Sequence, residues 1–466
     1  MKVEQLYTSC LAEAAYYIES NGEVAIIDPL RDTDVYMEKA NAAGARIKYV
    51  FETHFHADFV SGHIDLAQKS GATIVFGPTA ETGFDSYAAK DNEEFKIGNL
   101  TLIALHTPGH TPESTTWLLK DENGKDYCIF SGDTLFIGDV GRPDLAVKSN
   151  LTQEDLAGML YDSLRNKIMP LADEVIVYPG HGAGSACGKN ISSETHSTIG
   201  EQKKTNYALR EMSKEEFIKE VTTGILPPPK YFPEAVALNK KGYDPLQVVM
   251  QKGLKPLSIQ ELMEELSSGA LVIDTRSKTE FIKGFIPGTI FIGLDGQFAT
   301  WAATLFPKLD TRIVIIAENG KKEEAIVRLA RVGFDNIVGF LDGGINSWIE
   351  AGKDLDKIGQ VSAEQLTGIV ANQEINLLDS RKPTEFDTQH AVLAKSYPLD
   401  YIFEHLHDLN KEETYYIHCR SGYRSLVAAS IMKANGYKDL IDVAGGFIEM
   451  EKTAIPLSAT TCTVSR

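Results

Sequence analysis

Short apolar runs separated by turn residues set the pattern of the first third of the chain. They are Val24-Ala25-Ile26-Ile27, Tyr49-Val50-Phe51, Thr73-Ile74-Val75-Phe76, residues 100–105 and Tyr127-Cys128-Ile129-Phe130. Short runs rich in β-branched and aromatic residues, bounded by polar turns, predict strands. Residues 35–43 and 64–70 carry helical spacing between them. This alternation predicts an α/β layered domain. Leu226-Pro227-Pro228-Pro229-Lys230 can be neither regular helix nor central strand, because proline lacks the backbone donor. It predicts an extended arm leaving the first domain, with the boundary at Lys255-Pro256.

The pattern then repeats. Leu271-Val272-Ile273-Asp274-Thr275-Arg276-Ser277-Lys278-Thr279-Glu280-Phe281 is echoed 105 residues later by Asn376-Leu377-Leu378-Asp379-Ser380-Arg381-Lys382-Pro383-Thr384-Glu385-Phe386. Phe340-Leu341-Asp342-Gly343-Gly344-Ile345 is echoed 102 residues later by Asp442-Val443-Ala444-Gly445-Gly446-Phe447. Two copies of this size each own a core, so the expected division is 1–255, 256–355 and 356–466. A length of 466 residues also exceeds what one core supports, at about 150 residues per domain.

Charge narrows the partners. With 46 Lys+Arg against 65 Asp+Glu the net charge is −19, which argues against nucleic acid as a general partner. The sequence holds no apolar run of membrane-spanning length, and Glu13 and Glu19 interrupt what a signal peptide would keep apolar. The five cysteines (Cys10, Cys128, Cys187, Cys419 and Cys462) are odd in number and widely spaced. They form neither a disulfide framework nor a paired zinc signature, and a cytoplasmic setting is expected.

Four polar clusters each follow an apolar strand: Thr53-His54-Phe55-His56-Ala57-Asp58-Phe59, Thr107-Pro108-Gly109-His110-Thr111, Ser131-Gly132-Asp133-Thr134-Leu135-Phe136 and Tyr178-Pro179-Gly180-His181-Gly182. Loops at strand ends converge at one sheet edge, and imidazole with carboxylate suits Zn, Fe or Mn. His63, His106 and His196 lack this context and are expected to be ordinary core or surface histidines. Together the H-x-H-x-D, T-P-G-H-T and S-G-D-T-L-F runs resemble the metallo-β-lactamase superfamily. The resemblance implies an αββα sandwich at the N-terminus. The superfamily's usual H-x-H-x-D-H feeds two metals, whereas here the last position is Phe59, which cannot ligate.

The Ile137-Gly138-Asp139-Val140-Gly141-Arg142-Pro143-Asp144-Leu145 stretch resembles persulfide dioxygenases. Spacing alone leaves His54 and His56 as rival ligands. The resemblance implies one Fe(II) per chain (Zn being the other possibility) on His54, His110 and Asp133, with His56, Asp58 and His181 orienting ligands or water around it. Cys187, in a glycine-rich loop six residues after His181, reads equally as a buried apolar thiol or as a catalytic one. The domain company implied by the resemblance favours catalysis. Arg142 is expected either to bind an anionic group of the substrate or to form an internal ion pair.

In the last copy, Tyr415-Tyr416-Ile417-His418 delivers Cys419-Arg420-Ser421-Gly422-Tyr423-Arg424-Ser425, and residues 426–435 predict a helix. A cysteine between a strand end and a helix N-terminus faces backbone N–H groups and a positive dipole end, which favour thiolate. Arg420 and Arg424 add positive charge. The loop, with Asp379, Arg381, Glu385 and Gly445-Gly446, resembles rhodanese, and implies two rhodanese-like α/β domains with Cys419 as nucleophile. The middle copy places Ala317 at that position and Glu318-Asn319-Gly320-Lys321-Lys322 in the cradle. Alanine cannot carry a persulfide, so that copy is expected to lack sulfurtransferase activity. In the last copy Gln389-His390-Ala391 departs from the glycine-proline turn that the middle copy keeps as Gly284-Phe285-Ile286-Pro287-Gly288.

The expectation is a persulfide dioxygenase with a sulfurtransferase domain. Its partners would be glutathione persulfide or coenzyme A persulfide, O₂, and sulfite or thiosulfate, without membrane or nucleic acid. The family likeness implies a dimer or tetramer. Two alternatives are a zinc thioester hydrolase of glyoxalase II type fused to rhodanese, and a sulfur carrier whose metal domain is inert.

Overall fold

The computed structural model describes residues 1–147 and 150–460, so Cys462 lies outside the described residues. It divides into two compact units. The first comprises Met1–Val248 with Phe306–Leu309 and Leu329–Asp335; the second comprises Val249–Leu305, Asp310–Arg328 and the chain from Asn336 onward.

The first unit holds two six-stranded sheets. One runs in the order β1 (Lys2–Thr8), β2 (Glu13–Ser20), β3 (Glu23–Ile27), β4 (Arg46–Phe51), β5 (Thr73–Phe76), β6 (Tyr87–Ala88). The other orders β12 (Ser197–Thr198), β11 (Ile176–Pro179), β10 (Asp126–Gly132), β9 (Thr115–Lys120), β8 (Leu100–His106), β7 (Glu94–Ile97). Alternate residues divide each sheet between two environments. Tyr16, Ile18, Ala25, Ile27 and Phe51 face Leu102, Trp117, Leu119 and Phe130 in the core shared by the sheets. Tyr17, Val24, Ile26 and Val50 turn outward under the helices Asp34–Ala42 and His63–Ser70. Leu118, Ile129 and Val177 lie under the helices Gln153–Ser163 and Lys214–Thr222. The result is an αββα sandwich. The strand β2 escapes a periodicity reading because residues 13–18 are buried on both faces, so apolar and polar positions do not alternate.

Strands β3, β4 and β5 run parallel to one another, as do β10 and β11, so residues after their C-terminal ends collect at one edge. Asp28, His54, Asp133 and His181 all lie just past such ends. Residues 225–229 of the proline segment carry no regular structure, and the chain then returns as the helices Phe232–Lys241 and Leu246–Gly253.

The second unit contains two five-stranded parallel sheets. The first has the order β13 (Pro256–Leu257), β17 (Ile337–Leu341), β16 (Ile313–Ile316), β14 (Leu271–Asp274), β15 (Ile290–Phe291). The second repeats it as β18 (Gly359–Val361), β22 (Asp439–Val443), β21 (Thr414–His418), β19 (Asn376–Asp379), β20 (Ala394–Ser396). The echoed Asp-x-Arg has the same geometry in both: Arg276 Nε and Nη2 lie 2.9 and 2.6 Å from the Asp274 carboxylate, and Arg381 repeats both distances on Asp379. Arg276 also donates to the Gly284 carbonyl at 3.0 Å, and Arg381 to that of Gln389 at 2.8 Å. The sequence departure at Gln389 therefore leaves the contact intact, because a backbone carbonyl makes it.

Among the described residues no helix is long and apolar enough to cross a membrane.

Candidate functional site

The H-x-H-x-D loop after β4 is held by buried polar contacts. Asp28, at the end of β3, accepts from the Thr53 backbone N–H and from Thr53 Oγ1, both at 2.8 Å. The returning helix Phe232–Lys241 adds Asn239, whose amide donates to the carbonyls of His56 (2.8 Å) and Phe59 (2.7 Å) and accepts from the Ser61 N–H (2.9 Å). Tyr231 donates to the Asp58 carbonyl at 3.0 Å. These satisfied backbone groups fix a loop that would otherwise be free to move.

His54, His110 and Asp133 are all buried and bring one ligand atom each within 4.8 Å of the others. His54 Nδ1 lies 3.0 Å from Thr53 Oγ1 and His110 Nδ1 lies 2.8 Å from the Arg142 carbonyl oxygen. Both rings are thereby oriented to present Nε2 inward. Those atoms sit 3.9 and 3.4 Å from Asp133 Oδ2. His54 Nε2 and both Asp133 oxygens have no hydrogen-bond partner among the described residues. Burial, reinforced by the positive tendency of His56, His110 and His181, pushes His54 well below the usual histidine range. Its imidazole is therefore neutral, the form that ligates metals. Buried polar atoms converging without partners fit a cation, and two imidazoles with one carboxylate fit a mononuclear transition metal with open positions.

His56 Nε2 faces the opposite way, 3.1 Å from Asp28 Oδ1 and 3.6 Å from Glu52 Oε2. Its ring lies against Phe59, centroids 4.3 Å apart. His181 Nε2 is 3.4 Å from Asp58 Oδ2 and 3.5 Å from Asp133 Oδ1, while its Nδ1 contacts the Ala12 carbonyl at 3.1 Å. Cys187 is buried with its sulfur grouped with Asp133 and His181. Burial, with the charges of Asp58 and Asp133, pushes its thiol well above the ordinary value. Of the histidines expected to be ordinary, His63 is buried 3.6 Å from Glu52, and burial pushes it down to about 3.

Arg142 is engaged within the protein. Its guanidinium makes two 2.7 Å bonds to Asp144 and donates to the carbonyls of Ala186 and Leu226, and its backbone N–H donates to the Cys187 carbonyl. The arginine is thus the hub that ties the Gly141-Arg142-Pro143-Asp144 loop to the Cys187 loop and to His110. The neighbouring Gly141 lies so close that a Cβ there would meet the Asp133 carbonyl oxygen at 2.0 Å and His110 Nδ1 at 2.9 Å. Sequence reading missed Asp28, Glu52, Asn239 and Tyr231. Of these, only Asp28, at a strand end like the ligands, carried a signal.

In the second unit Cys419 follows β21 and is buried. The Gly422 N–H donates to its sulfur at 3.1 Å. Ser425 Oγ sits 3.7 Å from that sulfur and 2.6 Å from Asp442 Oδ1. The helix starts at Arg424 and runs to Ala434, two residues earlier than the apolar pattern predicts. Arg424 makes a two-point ion pair with Glu385, at 2.5 and 3.0 Å, whereas Arg420 is exposed. Gly446 packs where a Cβ would meet the Cys419 carbonyl oxygen at 2.4 Å, and the Phe447 N–H donates to that oxygen at 2.7 Å. In the middle copy Ala317 follows β16 as Cys419 follows β21, and the helix Lys322–Ala330 begins after the same interval.

The model of the metallo-β-lactamase superfamily matches residues 9–181, and that of the rhodanese-like domain matches 258–351 and 362–453. Human "Persulfide dioxygenase ETHE1, mitochondrial" is 30% identical over 223 residues, covering 47% of this chain and 79% of that protein. The "Probable hydroxyacylglutathione hydrolase glo2" of Schizosaccharomyces pombe is 29% identical over 205 residues, covering 39% of this chain and 75% of the relative. A crystal structure of a metallo-β-lactamase from Staphylococcus aureus is 33% identical, covers 73% of this chain and 98% of its own, and superposes with a TM-score of 0.64. The αββα sandwich with its strand-edge histidines, and the duplicated parallel sheets later in the chain, agree with these matches: the chain belongs to the metallo-β-lactamase superfamily and carries two rhodanese-like domains after that fold.

Proposed function

We propose that the chain oxidises low-molecular-weight persulfides and passes sulfane sulfur through Cys419. The observation that carries this reading is the buried triad of His54, His110 and Asp133 beside Phe59. His54, His110 and Asp133 bring one ligand atom each within 4.8 Å of the others, and His54 Nε2 and both Asp133 oxygens have no hydrogen-bond partner among the described residues. Phe59 takes the position where the superfamily's second cation needs a histidine, next to the group of His56, Asp58 and His181. A single Fe(II) on those three residues would supply O₂ activation beside an open position for sulfur. The reaction balances as R–S–SH + O₂ + H₂O → R–SH + H₂SO₃, in which the terminal sulfur gives four electrons to O₂.

The chain's own residues do the rest. The Thr53 and Arg142 contacts hold the two imidazoles in register. His181 and Asp58 line the side of Asp133 next to Cys187 and there orient water or substrate. Cys187 is close enough to Asp133 to meet a persulfide arriving at that point. In the other unit, the Gly422 N–H donates to the sulfur of Cys419 and stabilises negative charge on it. Such a division suits glutathione persulfide or coenzyme A persulfide as donor and sulfite or thiosulfate as the oxidised sulfur species.

The hydroxyacylglutathione hydrolase relatives support a second reading, thioester hydrolysis with zinc-activated water. Anaerobic purification, metal analysis and O₂ uptake on glutathione persulfide separate the two. Iron with persulfide-dependent O₂ uptake is expected; zinc with thioester hydrolysis and no O₂ uptake would overturn the proposal.

A further inference from the structure

Two arginines cross beside the loop that carries His54 and His56. Arg31, in the loop after β3, has a fully buried guanidinium. Its Nη1 donates to the Ala330 carbonyl at 3.0 Å and pairs with Asp335 Oδ1, and the Tyr243 ring stacks on it at 4.6 Å. Arg331 reaches the other way, its Nε and Nη2 donating to the two Asp32 carboxylate oxygens at 2.9 and 2.7 Å. Between them the Val60 N–H donates to the Arg331 carbonyl at 2.7 Å. By sequence, residues 329–335 fall within the first rhodanese-like match, yet they belong to the first compact unit.

The place of this clasp gives it a role. Val60 sits between Phe59 and Ser61, whose backbone groups are held by Asn239, so Arg331 supplies the partner that Asn239 leaves out. Asp32 lies four residues after Asp28, which holds Thr53. Gly333, at a φ of +94°, lets the segment approach closely: a Cβ there would come within 2.8 Å of Leu238 and 3.3 Å of Val60. Leu238 adjoins Asn239 on the same helix.

The clasp is particular to one copy. Both copies end the helix after the nucleophile position in the same turn. The Gly333 and Phe334 N–H groups donate to the Ala330 and Leu329 carbonyls, as those of Gly436 and Tyr437 do to Lys433 and Met432. That register sets Ala434 against Arg331 and Lys438 against Asp335. Alanine has no guanidinium, and a lysine at the second place would set its charge against Arg31; in the last copy Lys438 pairs with Glu412 at 2.6 Å instead. Arg31 needs the acid, because Asp65 approaches it only to 3.9 Å and a buried charge without a close partner is strongly destabilising.

We propose that Arg331 and Asp335 are positioning residues of the metal site: the copy without a nucleophile contributes a clasp that fixes the H-x-H-x-D loop against the loop after β3. This rests on metal binding at His54, His110 and Asp133, and on neither the metal's identity nor the reaction. Linkage is reciprocal, so whatever the clasp adds to metal affinity, bound metal returns as stability of the clasp.

The test uses the metal-free full chain with Zn(II) as the probe, and His110→Ala as the chain lacking the site. Zn(II) should slow backbone hydrogen exchange in residues 53–62 and also in residues 329–335, and should do neither in His110→Ala. Arg331→Ala and Asp335→Asn should each weaken Zn(II) binding about three- to tenfold, read by competition with a chromophoric chelator. Exchanging the pair, Arg331→Asp with Asp32→Arg, should recover most of the loss. Lys438→Ala, at the matching place in the last copy, should leave the affinity unchanged. Protection of 53–62 without 329–335 overturns the proposal, as does a lower melting temperature in Arg331→Ala with Zn(II) affinity unchanged. No Zn(II)-dependent protection of 53–62 in the unmodified chain overturns the metal-site reading and the proposal with it.

Discussion

The Nδ1 atom of His110 lies 2.8 Å from the backbone carbonyl oxygen of Arg142, thirty-two residues further along the chain. A side chain that would ligate a metal is thus oriented by a loop whose own arginine is tied to Asp144, Ala186 and Leu226.

That relationship predicts the effect of changing Gly141. An alanine there would push a Cβ onto the Asp133 carbonyl and His110 Nδ1, displacing two of the three metal-facing residues. Gly141→Ala should lower metal affinity by about 10- to 100-fold, the range seen when groups behind metal ligands are disturbed. Metal content per chain after dialysis against a weak chelator measures it.

The two chemistries should be separable by single substitutions. His110→Ala should abolish metal retention and O₂ uptake while leaving persulfide formation on Cys419 measurable by mass spectrometry. Cys419→Ser should do the reverse. Loss of O₂ uptake in Cys419→Ser to the level of His110→Ala would mean that sulfur must pass through Cys419 before oxidation.

Asn239 carries a stability prediction. Its amide serves three backbone groups of the H-x-H-x-D loop in a buried setting, and Asn239→Ala leaves them without partners. A loss of about 2–4 kcal/mol is expected, from buried carbonyls and an N–H left unpaired. Thermal unfolding of the metal-free protein reads this, and Asn239→Asp should recover only the bond from Ser61.

Asp442, behind the cysteine loop, gives a pH dependence. Burial pushes its carboxyl up to about 6 from 3.8, opposed by hydrogen bonds from Ser425 and Gln360. Because the folded value lies above the unfolded one, the stabilising contribution is complete below about pH 4 and is lost as pH rises through about 6. Two pH units correspond to about 3 kcal/mol at most. Urea titrations of the wild type and Asp442→Asn should therefore diverge over that interval, with the variant gaining relative stability as pH rises, and run parallel above it.

Much of the site was legible in the sequence because its residues follow apolar strands in short, fixed motifs. Parallel strands bring their C-terminal ends to one edge, so His54, His110, Asp133 and His181 could be gathered from local pattern alone. The duplication was equally legible, since the Asp-x-Arg brace and the paired glycines each need their own residue types to form. Helix limits shifted by a residue or two, as at Arg424, where an arginine paired with Glu385 opens the helix.

The tertiary structure alone decided which way buried polar groups point and which distant segments meet. Whether an imidazole offers Nε2 to a shared centre, as His54 does, or turns to Asp28 and Glu52, as His56 does, depends on partners far along the chain that no spacing encodes. The same holds for Arg142, whose charge is neutralised by Asp144 and whose carbonyl orients His110. It holds as well for Asn239, brought from an arm some 180 residues away to satisfy the loop beside the ligands. Local sequence specifies strands, caps and turns because those interactions span a few residues. Burial of a polar atom requires a partner, and only the folded chain determines which one arrives.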